Sequence, residues 1–234
     1  MHIFYAPDIN TNIYSLNEDE SKHCSTVLRL SVDDLVYLTD GKGCFYKAKI
    51  IDNSKKKCIV KIIDIITEYE KRDYYLHIAI SPTKNIERFE WFLEKVTEIG
   101  IDEITPILSN RSERKVIKIQ RLNKVIISAM KQSKKAYHPI LNPLTKFEYF
   151  VKSRIKGKKF IAHCMKTKKE SLKKLYTSKQ NALILIGPEG DFSPEEIALA
   201  KQNNFLEISL GTSFLRTETA GIIACHTINF LNGY

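Results

Sequence analysis

The rhythm of apolar and polar positions changes near residue 70. Before it the pattern is short and β-like. Leu35-Val36-Tyr37-Leu38-Thr39 is an apolar run closed by Asp40-Gly41-Lys42-Gly43, residues 44–51 alternate, and residues 58–66 are rich in Ile and Val. An Asp-Gly step between two such runs predicts a hairpin. One helix is expected over residues 19–30, with Cys24, Val27, Leu28 and Leu30 as its apolar positions. Several short strands with one helix predict a small barrel over residues 1–70.

The charged stretch Glu68-Tyr69-Glu70-Lys71-Arg72-Asp73 is the expected linker to a second domain over 74–234. There strands and helices alternate. Strands are predicted over 74–80, 101–108, 160–164, 182–186 and 207–210. A helix over 87–99 carries Phe89, Phe92, Leu93, Val96 and Ile99 on one face and stops at Gly100. A long basic helix over 116–136, with Ile119, Leu122, Val125, Ile126 and Met130 in its stripe, is expected to end at His138-Pro139. A last helix is expected over 219–231. Such alternation predicts an α/β domain with a parallel sheet covered on both faces.

Charge sharpens this picture. The 234 residues include 37 Lys and Arg against 27 Asp and Glu, a net of +10. Residues 111–174 hold 20 of the cations and only three acids, Glu113, Glu148 and Glu170, so this segment carries more than the whole excess. A field of that sign draws polyanions, chiefly through phosphate contacts. The blander alternative is a lysine-rich solvated surface. Lys55-Lys56-Lys57 is a second cluster, placed like a hairpin tip. The five cysteines, at 24, 44, 58, 164 and 225, have no C-x-x-C spacing and suit a reducing, cytoplasmic setting. The segment Met1–Pro7 lacks the basic and apolar regions of an export signal, and no run of about 18 apolar residues is present. The histidines at 2, 23, 77, 138, 163 and 226 show no metal spacing, so no metal is expected.

Two glycine-bearing loops could carry chemistry. In the first, Leu183-Ile184-Leu185-Ile186 runs into Gly187-Pro188-Glu189-Gly190, and Ser193, Pro194 and Glu196 read as a capping box opening a helix. In the second, Ile208-Ser209-Leu210-Gly211 leads to Phe214-Leu215-Arg216-Thr217-Glu218-Thr219-Ala220. Small residues let a ligand approach main-chain atoms. Glu218 is favourable at a helix start without any further role, and Thr217 or Thr219 could be caps. Arg216 is less easily explained, because a cation is disfavoured there. Arg111 and Arg114 follow a strand and so fall where an open α/β sheet places its site, unless they form a surface ion-pair cluster with Glu113. Dinucleotide, P-loop and nucleophile-elbow motifs are absent.

Taken in order, these stretches resemble the RsmE family of ribosomal RNA methyltransferases, in the SPOUT superfamily of knotted α/β enzymes. The two loops resemble its C-terminal motifs. His23-Cys24-Ser25-Thr26-Val27-Leu28-Arg29, Asp40-Gly41-x-Gly43, Lys95-Val96-Thr97-Glu98-Ile99-Gly100 with Asn110-Arg111-Ser112-Glu113-Arg114, and Ala129-Met130-Lys131-Gln132-Ser133 are similar to its other signatures. The chain departs from the family at Asp191, where a second Gly is usual, and at Ser213-Phe214, where Arg-Ile is usual.

The resemblance implies a PUA-like barrel, then a SPOUT domain with a C-terminal trefoil knot. It implies S-adenosylmethionine held by Ile186, Gly187, Pro188, Glu189, Gly190, Ser209, Leu210, Gly211, Phe214, Leu215, Arg216, Thr219 and Ala220. It further implies a homodimer joined through the last helix, and methylation of a uridine N3 in 16S ribosomal RNA of the small subunit. Arg216, helped by Arg111 or Arg114, would stabilise the uracil anion, and Glu218 or a water would take the proton. His23, Arg29, Lys55, Lys56, Lys57, Lys131, Lys134 and Lys135 would carry RNA. The alternatives are a SPOUT enzyme acting elsewhere, such as a transfer RNA 2′-O-methyltransferase, and an RNA-binding protein without a methyl donor.

Overall fold

The structure, a computed structural model, describes residues 2–54, 56–154 and 157–233. The chain forms two compact units. One takes the residues up to Lys71 together with Met130–His138, and the other takes Arg72–Ala129 and the chain from Pro139.

In the first unit, β1 (Ile3–Tyr5), β2 (Ile13–Ser15), β3 (Leu35–Thr39), β4 (Phe45–Asn53) and β5 (Cys58–Ile66) form one sheet in the order β1-β3-β4-β5-β2. Only β1 and β3 run parallel. Alternation sets the two faces: Val36 and Leu38, Ala48 and Ile50, and Cys58, Val60 and Ile62 point into the core, while Lys49 and Lys61 do not. Register shifts at Lys47/Ala48 and Ile50/Asp52 bend β4. The sheet curls into a half-barrel whose edges are β1 and β2. The hairpin at Asp40 forms as expected. Gly41 and Gly43 take φ of 72° and 110°, and the Asp40 carboxylate accepts the amides of Lys42 and Cys44 at 2.7 and 3.0 Å.

The helix expected over 19–30 is shorter and irregular. α1 (Glu18–Lys22) passes into a π-helical turn, His23–Val27. The wider turn changes the helical phase. Cys24 is fully buried with its Sγ 3.6 Å from that of Cys58, whereas Val27 is 64% exposed.

The second unit contains β6 (Leu76–Ile80), α2 (Ile86–Ile99), β7 (Glu103–Leu108), α3 (Ile119–Gln132, which crosses the division between units), β8 (Ile140–Leu141) and β9 (Thr145–Lys146). It continues with α4 (Phe147–Lys152), β10 (Lys158–Ala162), β11 (Glu170–Ser171), α5 (Leu172–Leu175), β12 (Ala182–Ile186), α6 (Pro194–Gln202), β13 (Leu206–Ser209) and α7 (Thr217–Leu231). Every strand pairing is parallel, in the order β11-β13-β10-β12-β6-β7-β8 with β9 also on β7. Along β12, Ile184 and Ile186 join the core with α2 and α7, while Leu183 and Leu185 join that with α4 and α6. Both faces are therefore covered, which explains the unbroken apolar run.

The basic helix α3 stops before His138-Pro139. Lys134 turns left-handed at φ 59° and the Lys135 amide donates to the Met130 carbonyl at 3.0 Å, so a Schellman-type cap ends it.

His77 on β6 is buried, with Nε2 2.8 Å from Thr105 Oγ1 and Nδ1 3.5 Å from Glu103. Burial pulls its pKa down to about 4, against the pull of Glu103. An unfolded histidine titrates near ~6.5, so the unfolded chain binds this proton first as pH falls. Stability should therefore decline from about pH 6.5 towards 4, by up to about 3 kcal/mol from this group. Denaturant titrations of His77→Gln should show a shallower decline over that range than the unaltered protein.

Candidate active site

The carboxyl ends of three adjacent strands, β13, β10 and β12, open onto one cavity of about 460 Å³. Residues 186–189 and Asp191 form one wall, 208–217 with Ala220 another, and Ala162, His163, Cys164 and Lys169 a third. The volume lies in the range of about 300–1,000 Å³ usual for small-molecule sites.

Each wall has a local reason for its shape. After Ile186 the chain turns sharply and enters α6 through a full capping box: Ser193 Oγ accepts the Glu196 amide at 3.2 Å, and the Glu196 carboxylate accepts the Ser193 amide at 2.9 Å. A side chain on Gly187 would press Phe192 at 3.2 Å. The second wall turns at Gly211, whose φ of 131° suits glycine, and nothing lies within 4 Å of where its Cβ would be. Ser209 Oγ accepts the Gly211 amide at 3.2 Å and donates to the Gly211 carbonyl at 2.8 Å. Thr217 is not the cap of α7. Arg216 holds the N-cap position without a side-chain bond, and Thr217 Oγ1 instead donates to the Gly187 carbonyl at 3.0 Å, tying the second loop to the first.

The third wall was not visible in the motifs. It follows β10, which lies between β12 and β13. The His163 ring is buried with Nε2 3.0 Å from Glu207 Oε1, and Glu207 also takes Lys201 at 2.7 Å. Burial, and then Lys169, lower the His163 pKa. Lys169 Nζ donates to the carbonyls of His163 and Met165 at 2.6 and 2.7 Å.

Asp191 joins this wall to the first. It sits at φ 62°, a left-handed conformation Asp tolerates better than most residues. One carboxylate oxygen accepts the Cys164 amide and the other the Phe192 amide, both at 2.8 Å. Asp191→Ala should loosen the cavity and weaken binding of an adenosyl ligand by about tenfold, one charge-assisted bond's worth. Calorimetry with S-adenosylhomocysteine checks this.

Most residues the motifs singled out line the cavity: Ile186, Gly187, Pro188 and Glu189 on one side, and Ser209, Leu210, Gly211, Phe214, Leu215, Arg216 and Ala220 on the other. Gly190 and Thr219 lie outside the lining. Arg216 is exposed at the mouth, and its guanidinium forms no ion pair or hydrogen bond among the described residues. Glu218 is 5% exposed and lies outside the lining. Its Oε1 is 4.0 Å from Arg88 Nε on α2, and its buried Oε2 has no hydrogen-bond partner among the described residues.

The arginines after β7 are occupied by main chain. Arg111 donates to the Gly190 carbonyl at 2.8 Å, and Arg114 to the carbonyls of Thr83 and Lys84 at 3.0 and 2.5 Å. Glu113 pairs not with them but with Lys84, at 2.8 Å.

In the first unit His23, Arg29, Lys56, Lys57 and Lys134 are exposed, while Lys55 lies outside the described residues. Lys131 and Lys135 are engaged, by Glu20 at 2.7 Å and Glu70 at 3.3 Å. No group of three or more His, Cys, Asp and Glu among the described residues is placed to hold a metal ion. No helix of the described residues is long and apolar enough to cross a membrane.

A family profile described as RNA methyltransferase domain matches residues 70–229. The chain belongs to this RNA methyltransferase family. A second profile, RNA methyltransferase PUA domain, matches residues 16–63. Among relatives of this methyltransferase, the ribosomal RNA small subunit methyltransferase E of Buchnera aphidicola is 29% identical, over 99% of this chain and 93% of that protein. A crystal structure of a probable rRNA-methyltransferase from Porphyromonas gingivalis is 41% identical, with a TM-score of 0.92 over 99% of this chain and 98% of that one. The ribosomal RNA small subunit methyltransferase E of Neisseria gonorrhoeae, solved bound to S-adenosylmethionine, is 25% identical, with a TM-score of 0.89 over 99% and 98% of the two chains. The methyltransferase thus has the α/β fold of these enzymes, preceded by a PUA-like half-barrel.

Proposed function

We propose that this methyltransferase transfers the methyl group of S-adenosylmethionine to N3 of a uridine in 16S ribosomal RNA of the small subunit. The observation that carries the proposal is the cavity where the two glycine loops meet. Both loops line it, its size suits a nucleoside, and relatives matched over nearly their whole length include an enzyme bound to S-adenosylmethionine. Residues 186–189 with Ser209, Leu210, Gly211 and Leu215 would hold the adenosyl group, chiefly through backbone N–H and C=O groups. When bound, the cofactor supplies an activated methyl on a sulfonium.

The protein's own task is then orientation and charge. Uracil N3 is a poor nucleophile until its proton leaves, and deprotonation spreads negative charge onto O2 and O4. Arg216, exposed at the cavity and without an ion pair among the described residues, would stabilise that anion. Arg111 and Arg114 act at one remove, holding the 187–191 turn and the 83–84 segment. Glu218 faces Arg88 rather than the cavity, so the proton goes to water.

The same proposal includes the domain roles: an RNA-binding PUA-like domain over 1–70 and a catalytic domain over 74–234, working in the cytoplasm. Arg29, Lys56, Lys57 and Lys134 offer exposed cations for phosphates, and His23 an exposed ring. A trefoil knot is supported by the path after β13, where the chain returns past β10 to lay α7 against α2 and β6. A homodimer through α7 is supported by the exposed ring pair His226 and Phe230, stacked with centroids 5.9 Å apart.

The test is a strain lacking the gene. Its 16S ribosomal RNA should lack 3-methyluridine, and restoring the unaltered gene should return it. An unchanged nucleoside profile would contradict the proposal.

A further inference from the structure

We propose that the ring of Phe214 is the platform on which the target uracil stacks when it enters the cavity; this rests on the methyl-transfer function proposed above. Phe214 lines the mouth of the cavity and is 87% exposed, the most exposed large apolar side chain among the described residues. One exposed phenyl is ordinary on a protein surface. This one sits two residues from Arg216, whose guanidinium lines the same cavity with no ion pair or hydrogen bond among the described residues.

The span that displays it is short and anchored at both ends. Ser209 Oγ holds Gly211 on one side, and Thr217 Oγ1 holds the Gly187 carbonyl on the other. An aromatic face beside a free cation fits a planar base that becomes anionic during reaction. The ring would replace the stacking a uracil loses on leaving its neighbours, and the guanidinium would meet the charge on its oxygens. Stacking tolerates any base, so it supplies affinity, while the choice of N3 falls to the groups around the cavity. The chemistry of the mouth favours this occupant over the cofactor, whose adenosyl group would lie deeper, between the glycine loops.

Phe214→Leu keeps apolar bulk and removes the aromatic face, whereas Phe214→Tyr keeps it. Three readouts are compared on the full-length enzyme: kcat/KM on small ribosomal particles lacking the methyl group, S-adenosylhomocysteine affinity by calorimetry, and mass in solution by light scattering. The leucine variant should lose about 10- to 100-fold in kcat/KM, the range of one base stack. The tyrosine variant should stay within about threefold of the unaltered enzyme, and affinity and mass should not move. A leucine variant as active as the unaltered enzyme would overturn the stacking role alone. Parallel loss of S-adenosylhomocysteine affinity would assign the ring to the cofactor, and a change in mass would assign it to a second copy of the chain. Failure of the unaltered enzyme to methylate the particles would overturn the stacking role together with the function it rests on.

Discussion

Alanine at Arg216 is expected to lower turnover by about 100- to 1,000-fold, the effect of deleting one preorganised donor to a developing anion. Affinity for S-adenosylhomocysteine should stay within about twofold, because that ligand carries no uracil. The fold should persist. Arg216 contributes main chain to the start of α7, where its carbonyl accepts the Ala220 amide at 2.8 Å, and its side chain caps nothing. A cation at a helix start is mildly unfavourable, so alanine should if anything stabilise α7. Single-turnover methylation of RNA beside calorimetry separates the two effects. Full turnover with unchanged affinity would remove Arg216 from the chemistry, and lost affinity would give it to the cofactor instead. Lysine should recover only part of the rate, since a point charge cannot match the planar fork.

A second large effect is expected at Gly221 on α7. A Cβ there would lie 2.5 Å from Phe92 Cε2 and 3.0 Å from Ile80 Cδ1. Phe92 and Ile80 are fully buried, so neither has open space to enter. Alanine alone would gain about 1 kcal/mol of helix propensity over glycine. Overpacking costs about 1–3 kcal/mol, so even alanine should destabilise. Valine gains less propensity and adds two more methyl groups at the same contact. Gly221→Val is therefore expected to lose about 3 kcal/mol. For a chain of this length that lowers the unfolding midpoint by about 6–12 °C. Adding Phe92→Leu should return part of the loss, because it removes the atom that is struck. Thermal unfolding of the single and double variants checks this, and an unshifted midpoint in Gly221→Val would contradict the close approach of α7 to α2.

Much of the fold is legible in the residues because local rules and tertiary packing agree. The apolar run of β12, the helix with Phe89, Phe92 and Val96, and the Ser193 capping box all fall where the pattern places them. The early end of α3 is not legible, because a left-handed lysine ends it where glycine or proline would be expected. The π-helical turn at His23 is hidden for a similar reason, since nothing in its composition breaks helical spacing.

The site is half legible. Glycines mark the two loops that line the cavity. The β10 wall, with His163, Cys164 and Lys169, depends on strand order, and order is a long-range property that no local motif carries. Side-chain partners are hidden likewise. Lys131 and Lys135 look like RNA contacts in the sequence, yet Glu20 and Glu70, far away along the chain, engage them. Thr217 looks like a cap and instead ties the two loops together.

Methyl transfer to a uracil nitrogen can be measured directly. The purified enzyme is mixed with methyl-labelled S-adenosylmethionine and small ribosomal particles from a strain lacking the gene. The RNA is then digested and its nucleosides weighed. The label should appear in 3-methyluridine, at no more than one per particle. Label on a ribose oxygen, or no label at all, would contradict the account.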